Sequence, residues 1–376
     1  MTEVAVLENK VALVGIGATP TGIHPTKSAN ELGMAAFKAA LDDCGLEKSR
    51  IGAVFGGSLT GPGMQPEDLC RWGGLNPKIA EALTYCSSNI VIQAAARAIV
   101  AGDCEIAVCI AARKPPGAGA ALSGGGVYDA AHGLVNANML AGLGWAQHMA
   151  RYGTTTDHLG HVAVAAREWA GLNPDAEFRD PMTLEDYRAE PYFVWPLRTL
   201  DIAKSTAFGA CVILASNAVA RQCNKRPVYL YSYGRRFMGR QYENPDQLLA
   251  PGMRDVADQM YRAAGLKPSD IDAPFIYDAT TSGVIQTLEN YGFCDEGQGG
   301  EFVSGGRIEP GGSFPLNSHG GHLSAGYSFG WHHHVNLVRQ LRGEAGKVQI
   351  PDARFAHFSS AGRVREDLAG AVFVRG

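Results

Sequence analysis

A cysteine set directly ahead of a helix is the first residue in this chain that could do chemistry. Thr84-Tyr85-Cys86-Ser87-Ser88-Asn89 runs into an alanine-rich apolar segment that starts near Ile90 and reads as a helix. Unpaired N–H groups at a helix start favour an anion, so the Cys86 thiol should ionise more readily than a free one. A thiolate there is a good acyl acceptor. The alternative is a buried structural cysteine. Seven others lie at Cys44, Cys70, Cys104, Cys109, Cys211, Cys223 and Cys294. None forms a close pair with metal-ligand spacing, so no zinc site is expected. Most of them suit small buried apolar positions in a reducing cytoplasm.

A second constellation lies near the carboxyl end, in Leu316-Asn317-Ser318-His319-Gly320-Gly321-His322-Leu323-Ser324-Ala325-Gly326-Tyr327-Ser328-Phe329-Gly330. Gly320 and Gly321 let backbone approach a ligand closely, or simply form a turn. His319 and His322 flank them and are candidates for a pocket. His332, His333 and His334 follow at a helix start. Three consecutive helical residues cannot all face one site, so at most one could act there and the others suit a cap or an interface. His148 suits either a pocket or a satisfied core position. Gly124-Gly125-Gly126 lacks the strand and helix of a phosphate cradle and reads as loop. Arg235, Arg236 and Arg240 read as a solvated loop, with contact to an anionic cofactor as the alternative.

The elements that must position these groups occur twice. Asn30 to Gly45 reads as an amphipathic helix stopped by glycine, followed by Gly45-Leu46-Glu47-Lys48-Ser49-Arg50-Ile51 and an apolar strand from Ala53. Asp255 to Gly265 repeats the helix, with Gly265-Leu266-Lys267-Pro268-Ser269-Asp270-Ile271 and a strand from Ala273. Strands at Val11–Gly15 and Pro227–Leu230 open the two copies. Later, a helix from Ile90 leads to a strand at Glu105–Ile110, and a helix over Val335–Arg342 precedes a strand at Ala369–Val374. This pattern predicts two similar α/β halves in a five-layer sandwich, each built on a mostly parallel sheet. The halves are expected at 1–225 and 226–376. A long insertion at about 113–204, rich in Gly, Pro, His and aromatics, should cover the active face and join a dimer interface.

Composition bounds the rest. The chain has 376 residues, 46% of them apolar and 19% charged, which suits a folded two-domain protein. A net charge of −4 without a basic cluster argues against nucleic acid. The acidic amino terminus does not resemble a signal or transit peptide, and no apolar run is long enough to span a bilayer. A cytoplasmic protein with no membrane contact is expected.

The motifs together resemble the thiolase superfamily. The Cys86 segment resembles the nucleophile loop of thiolases, and Asn317, Gly320-Gly321, Gly326 and Gly330 match the framework of the family's Gly-His-Pro region. Tyr277-Asp278-Ala279-Thr280 with Leu288-Glu289-Asn290-Tyr291-Gly292-Phe293-Cys294, and His148-Met149-Ala150-Arg151-Tyr152-Gly153-Thr154, resemble the sterol-carrier-type branch. The departures are informative. Tyr327 stands where thiolases carry the Gly-His-Pro histidine. Ser360-Ala361-Gly362 stands in place of the Cys-x-Gly motif, and serine cannot replace a thiol as a base. Tyr277 stands where an Asn or His binds an oxyanion water. Tyrosines at both places are similar to thiolase-like retro-aldolases, which work with a small partner of OB-fold and zinc-ribbon type.

The resemblance implies an enzyme acting on acyl-CoA. The leading expectation is acyl transfer through acyl-Cys86, making or breaking the carbon–carbon bond of a β-ketoacyl-CoA. Backbone N–H groups near Cys86 and Gly362 would form one oxyanion hole, with Tyr277, Tyr327 or His319 donating at the other thioester oxygen. His148, Asn317, Gly320, Gly321, His322 and Gly326 are candidate substrate-binding residues. The alternative is retro-aldol cleavage of a β-hydroxyacyl-CoA by Tyr277 and Tyr327; a third reading is an inactive scaffold that binds acyl-CoA. No bound cofactor or metal is expected beyond the coenzyme A thioester itself. A homodimer is expected, and with the small OB-fold partner a heterotetramer.

Cys86 should alkylate with iodoacetamide faster than any other cysteine, and acyl-CoA should protect it. Peptide mass spectrometry checks this. Cys86 left unmodified while Cys44 or Cys223 reacts would remove the case for a lowered thiol.

Overall fold

The computed structural model describes residues 7, 9–24, 26–58, 63–84, 87–115, 131–238, 248–362 and 367–376. Cys86, Gly124-Gly125-Gly126, Tyr128 and Arg240 lie outside the described residues.

Nine strands form one sheet: β1 (Val11–Ala18), β2 (Ala53–Ser58), β3 (Ile79–Thr84), β4 (Ile106–Arg113), β5 (Phe208–Ser216), β6 (Val228–Phe237), β7 (Ala273–Ile276), β8 (Phe355–Gly362) and β9 (Asp367–Arg375). Their order is β3-β2-β4-β5-β1-β6-β9-β8-β7. Read outward from the β1–β6 junction, β5, β4 and β2 on one side mirror β9, β8 and β7 on the other. Only Ala12↔Tyr229 and Leu13↔Val228 pair across that junction.

The sheet is mixed, not mostly parallel as the alternation of elements suggests. β2 runs parallel to β3 and β4, and β7 to β8; every other pairing is antiparallel. Strand direction follows the connection. Gly362 and Asp367 pair directly although only four residues separate them in sequence, and so short a link between paired strands makes them antiparallel. β5 is reached through the long segment after β4 and not by a helical crossover.

Period-two alternation sorts each strand's side chains onto two faces. Leu13, Ala107 and Cys109 join a central core, whereas Ala12, Val14, Val108 and Ile110 face the other way. The outer layer of the first half is α1 (Ala29–Cys44). Ser28 and Glu31 form a capping box at its start, and Gly45 ends it at φ 71°. The outer layer of the second half is the helix Gly252–Ala264, ended by Gly265 at φ 64°. Each is followed by a 3₁₀ turn, at Lys48–Arg50 and Pro268–Asp270.

Between the halves lie α2 (Ser88–Ala101) and α3 (Trp331–Arg342), whose side chains are buried on nearly every face. Their polar residues reach across to the opposite half. From α2, Asn89 Nδ2 donates to the Phe358 carbonyl at 2.8 Å, and Gln93 Nε2 donates to the Gly234 and Gly370 carbonyls. From α3, His332 Nε2 lies 2.9 Å from the Thr19 carbonyl. A buried polar group without a partner costs about 1–3 kcal/mol, so these contacts set how the halves dock. The segment between β4 and β5 contributes α4 (Ala137–Tyr152) and α5 (Thr156–Leu172), which pack with Val284, Ile285 and Leu288 in a separate core. Trp145, Trp169 and Tyr187 are buried there, while Tyr192, Phe193 and Trp195 on a small hairpin are exposed. Among the described residues no helix is long and apolar enough to cross a membrane.

The far end of α3 is pinned to α1 by charge. Arg342 Nη1 lies 2.7 Å from Asp43 Oδ2, and Arg342 Nη2 donates to the Val14 carbonyl. Lys225 Nζ meets Asp43 Oδ1 at 2.8 Å. Burial pushes the Asp43 carboxyl up, but hydrogen bonds from Lys225 and Arg342 outweigh it and hold it below its ordinary value. Asp43→Asn strands a buried guanidinium and should cost about 3 kcal/mol in urea melts. A lowered folded pKa stabilises above the unfolded value of about 3.9, and that contribution is lost as pH falls through the folded value. The wild-type advantage over Asp43→Asn should therefore shrink below about pH 4 and stay constant from pH 5 to 8.

Candidate active site

The chemistry-bearing residues gather where strands end and the central helices begin. Tyr277 follows β7, Ser359 and Ser360 lie near the end of β8, and Arg113 ends β4. The Tyr277 N–H donates to the Ser359 carbonyl at 3.0 Å. At the start of α2, Ser87 Oγ lies 2.7 Å from Ser360 Oγ, and Ser88 Oγ lies 2.9 Å from His334 Nδ1. A crevice outside the carboxyl ends of strands is the usual ligand site of an α/β sheet. Cys86 precedes Ser87 in sequence.

At the centre stand two phenols. Tyr277 and Tyr327 share a hydrogen bond of 2.8 Å between their hydroxyls, with both residues half-buried. His322 packs edge-on against both rings at 4.7 and 4.9 Å, and Phe329 lies 4.6 Å from the Tyr327 ring. Burial pushes both phenols up. For Tyr277 the effect is large, and the neighbouring Tyr327 and Asp278 add to it. For Tyr327 the hydrogen bond from Tyr277 and the Arg113 cation work against burial. Both phenols therefore hold their protons more firmly than a free tyrosine does.

Asp278 holds the turn that carries Tyr327. It is buried, and its carboxylate accepts the backbone N–H groups of His322 at 2.8 Å and Leu323 at 3.2 Å. His333 Nε2 lies 3.1 Å away and His322 Nδ1 3.5 Å. His322 Nε2 accepts the Gly330 N–H, so its proton sits on Nδ1 and faces Asp278. The three side chains could in principle meet at one ion, since their ligand atoms lie within 4.8 Å. Asp278 is held instead by the two backbone N–H groups and by His333 Nε2, while His322 Nδ1 has no hydrogen-bond partner among the described residues. The peptide here winds as one turn of π-helix, Gly321–Ala325, a form often found at functional sites.

Several expected roles change. Gly320 (φ 99°) and Gly321 (φ 60°) are needed for packing within the protein: a Cβ on Gly320 would strike Ala170, and one on Gly321 the Asp278 carboxylate. Asn317 is a strut for β7, accepting the Ile276 N–H and donating to the Ile276 carbonyl. Gly326 (φ 120°) faces Thr21 and Thr206. His319 packs on Phe275 and His333 and makes no contact with either tyrosine among the described residues. Burial drives His319 and His322 well below the ordinary imidazole range, so both are neutral at pH 7. His332, His333 and His334 face three different partners, because the helix is enclosed on all sides; burial lowers His332 to about 4 and His334 to about 3. His148 is paired with Glu289 at 3.0 Å and Thr154 at 2.8 Å, beside a cavity of about 230 Å³ that Arg151, Arg254 and Glu296 also line. It has no contact with the tyrosine pair among the described residues. Gly362 closes β8 opposite Asp367.

Two residues were missed by the sequence reading. Asp278 was visible only as part of a motif. Arg113 is a charge ending an otherwise apolar strand, a signal that could have marked it. For the other cysteines, burial pushes each thiol up, Cys104 and Cys223 to about 11 and Cys294 to about 12.

The comparisons agree with this geometry. Residues 234–375 match the family model "Thiolase C-terminal domain-like". A steroid side-chain-cleaving aldolase of Thermomonospora curvata is 30% identical, with 90% of this chain and 92% of the relative covered. An acetyl-CoA acetyltransferase of Methanothermobacter thermautotrophicus is 26% identical over 97% and 99% of the two chains. The solved Ltp2-ChsH2(DUF35) aldolase superposes with a TM-score of 0.87, at 28% identity and 99% coverage of both chains. The fold is that of a thiolase and the protein an enzyme of thiolase-like class. The chain belongs to the thiolase superfamily, in its sterol-carrier-type branch.

Gly321→Ala should displace the Asp278 carboxylate and strain a left-handed residue, costing about 1–2 kcal/mol for the backbone alone. A lowered Tm together with loss of the Tyr277–Tyr327 contact in a crystal structure is expected. Unchanged stability would show that the turn does not depend on this close approach.

Proposed function

We propose that this chain breaks or makes a carbon–carbon bond in an acyl-CoA thioester, with the coenzyme A thioester as its substrate and no bound cofactor. The observation that carries the reading is the Tyr277–Tyr327 hydrogen bond of 2.8 Å at the strand ends. This pair suits retro-aldol cleavage of a β-hydroxyacyl-CoA. Tyr327, as phenolate, takes the β-hydroxyl proton. The electron pair left on that oxygen by the broken O–H bond forms the carbonyl, the Cα–Cβ bond breaks, and its electrons pass to the thioester enolate. Tyr277 delivers a proton to the enolate carbon and regains one from Tyr327 through the shared hydrogen bond. The pair ends as it began, and the products are a ketone or aldehyde and a shortened acyl-CoA. The aldolase relative and the aldolase structure support this route.

Acyl transfer through Cys86 is the second reading. The acetyltransferase relative, matched over nearly the whole of both chains, favours it, as does the place of Cys86 in sequence just before α2. In that route Tyr277 and Tyr327 donate to the thioester oxygen, and backbone N–H groups near Cys86 and Gly362 hold the other oxyanion. His148, His319 and His322 remain candidates for shaping the pocket.

The assembly we propose is a cytoplasmic homodimer that also binds a small OB-fold, zinc-ribbon partner, giving a heterotetramer. The partner named with the Ltp2 aldolase structure supports this, and exposed Tyr192, Phe193 and Trp195 offer an apolar patch. The division at 225/226, with the insertion at about 113–204 over the active face, belongs to the same reading.

Cys86→Ala and Tyr327→Phe, each assayed with a β-ketoacyl-CoA plus CoA and with a β-hydroxyacyl-CoA, separate the routes. Under retro-aldol cleavage, Tyr327→Phe should lower hydroxy-substrate cleavage roughly a hundredfold or more, with Cys86→Ala near wild type. Under acyl transfer, Cys86→Ala should lose on the order of a thousandfold or more. Tight acyl-CoA binding with no turnover of either substrate would leave an inactive scaffold.

A further inference from the structure

Arg113 is the one group at the strand ends whose charge has no evident purpose in packing. It closes β4, a strand whose other side chains are apolar, and it is 3% exposed. Its Nε and Nη1 have no hydrogen-bond partner among the described residues. No carboxylate pairs with it there either. A buried cation left unpaired costs several kcal/mol, so something must repay its desolvation at some point in the working cycle. The guanidinium carbon lies 5.2 Å from the centre of the Phe329 ring, which in turn packs 4.6 Å from the Tyr327 ring. The ionisable groups whose charge acts on Arg113 are Tyr327 and Tyr277.

We propose that Arg113 is a positioning residue that serves as counter-cation to the phenolate of the Tyr277–Tyr327 pair. This rests on the retro-aldol reading, in which Tyr327 must be ionised to take the β-hydroxyl proton. The groups facing the pair are few. Among the described residues they are Arg113, the Asp278 carboxylate beside Tyr277, and the ring of His322, which is neutral. Asp278 opposes ionisation of Tyr277, and the two hydroxyls share one hydrogen bond. Arg113 is therefore the source of positive charge that makes an anion at Tyr327 affordable in a half-buried site. Once Tyr327 is ionised, the arginine also gains the partner it otherwise lacks.

The test reads tyrosine ionisation directly. Ultraviolet difference titration of the wild-type protein, Tyr327→Phe and Arg113→Met gives the transition that depends on Tyr327. In Arg113→Met this transition should move up by roughly 1–3 pH units, the usual effect of removing an adjacent opposite charge. Arg113→Lys should restore most of the shift. Arg113→Met added to Tyr327→Phe should change nothing further. Circular dichroism checks folding, and Arg113→Gln serves if the methionine variant is unstable. In parallel, the acidic limb of the pH–rate profile for a β-hydroxyacyl-CoA should move up by the same amount. At a pH below the limb, that is about a tenfold to thousandfold loss. A Tyr327 transition that stays in place without the arginine overturns the proposal, whatever the activity. A transition that moves in a protein that cleaves no β-hydroxyacyl-CoA supports the role of Arg113 and sinks the retro-aldol reading instead.

Discussion

The buried carboxylate of Asp278 is the constraint on which the site depends. Among the described residues no lysine or arginine pairs with it, and its hydrogen bonds come from two backbone N–H groups of the π-turn and from His333. Backbone N–H donors hold a carboxylate in place without side-chain entropy, and they hold the peptide in return. Because Asp278 follows Tyr277 and the π-turn leads into Tyr327, one set of hydrogen bonds brings together two tyrosines separated by 50 residues. The glycine at 321 is required because the carboxylate occupies the space of its side chain.

The wider architecture delivers these pieces through the two central helices. α2 and α3 are enclosed by strands of both halves, so every polar side chain on them needs a partner from the fold. That explains three consecutive histidines inside a helix. His332 reaches the first half, His333 reaches Asp278, and His334 reaches Ser88 on the facing helix. Burial keeps His332 and His334 largely neutral, which suits hydrogen bonding and not proton transfer. Titratable work is left to the phenols, which retain some contact with solvent.

The sequence resemblance implies a phenol at 327 where thiolases use an imidazole, and a hydroxyl at 360 where they use a thiol. A phenol needs more help to ionise near neutral pH than an imidazole does. The arrangement around Tyr327 supplies that help from two sides, a hydrogen bond from Tyr277 and the positive charge of Arg113. Ser360, hydrogen-bonded to Ser87, links the strand β8 to the start of α2.

Local sequence determined the elements themselves. The capping box at Ser28 and Glu31, the stop glycines at 45 and 265, and the apolar periodicity of α1 are interactions among near neighbours, so they are legible without a fold. The duplication was legible for the same reason, and Tyr277 and Tyr327 stood out because they interrupt a recognisable framework. Only the tertiary structure decided the direction of β5 and β9, the pairing of His148 with Glu289 across 141 residues, and the hydrogen bond between the two tyrosines. It also decided that Arg113 is buried with Nε and Nη1 unpartnered among the described residues. Each of these depends on which distant group fills the space beside a side chain, and on how much water that packing removes. Neither is encoded in the spacing of residues along the chain.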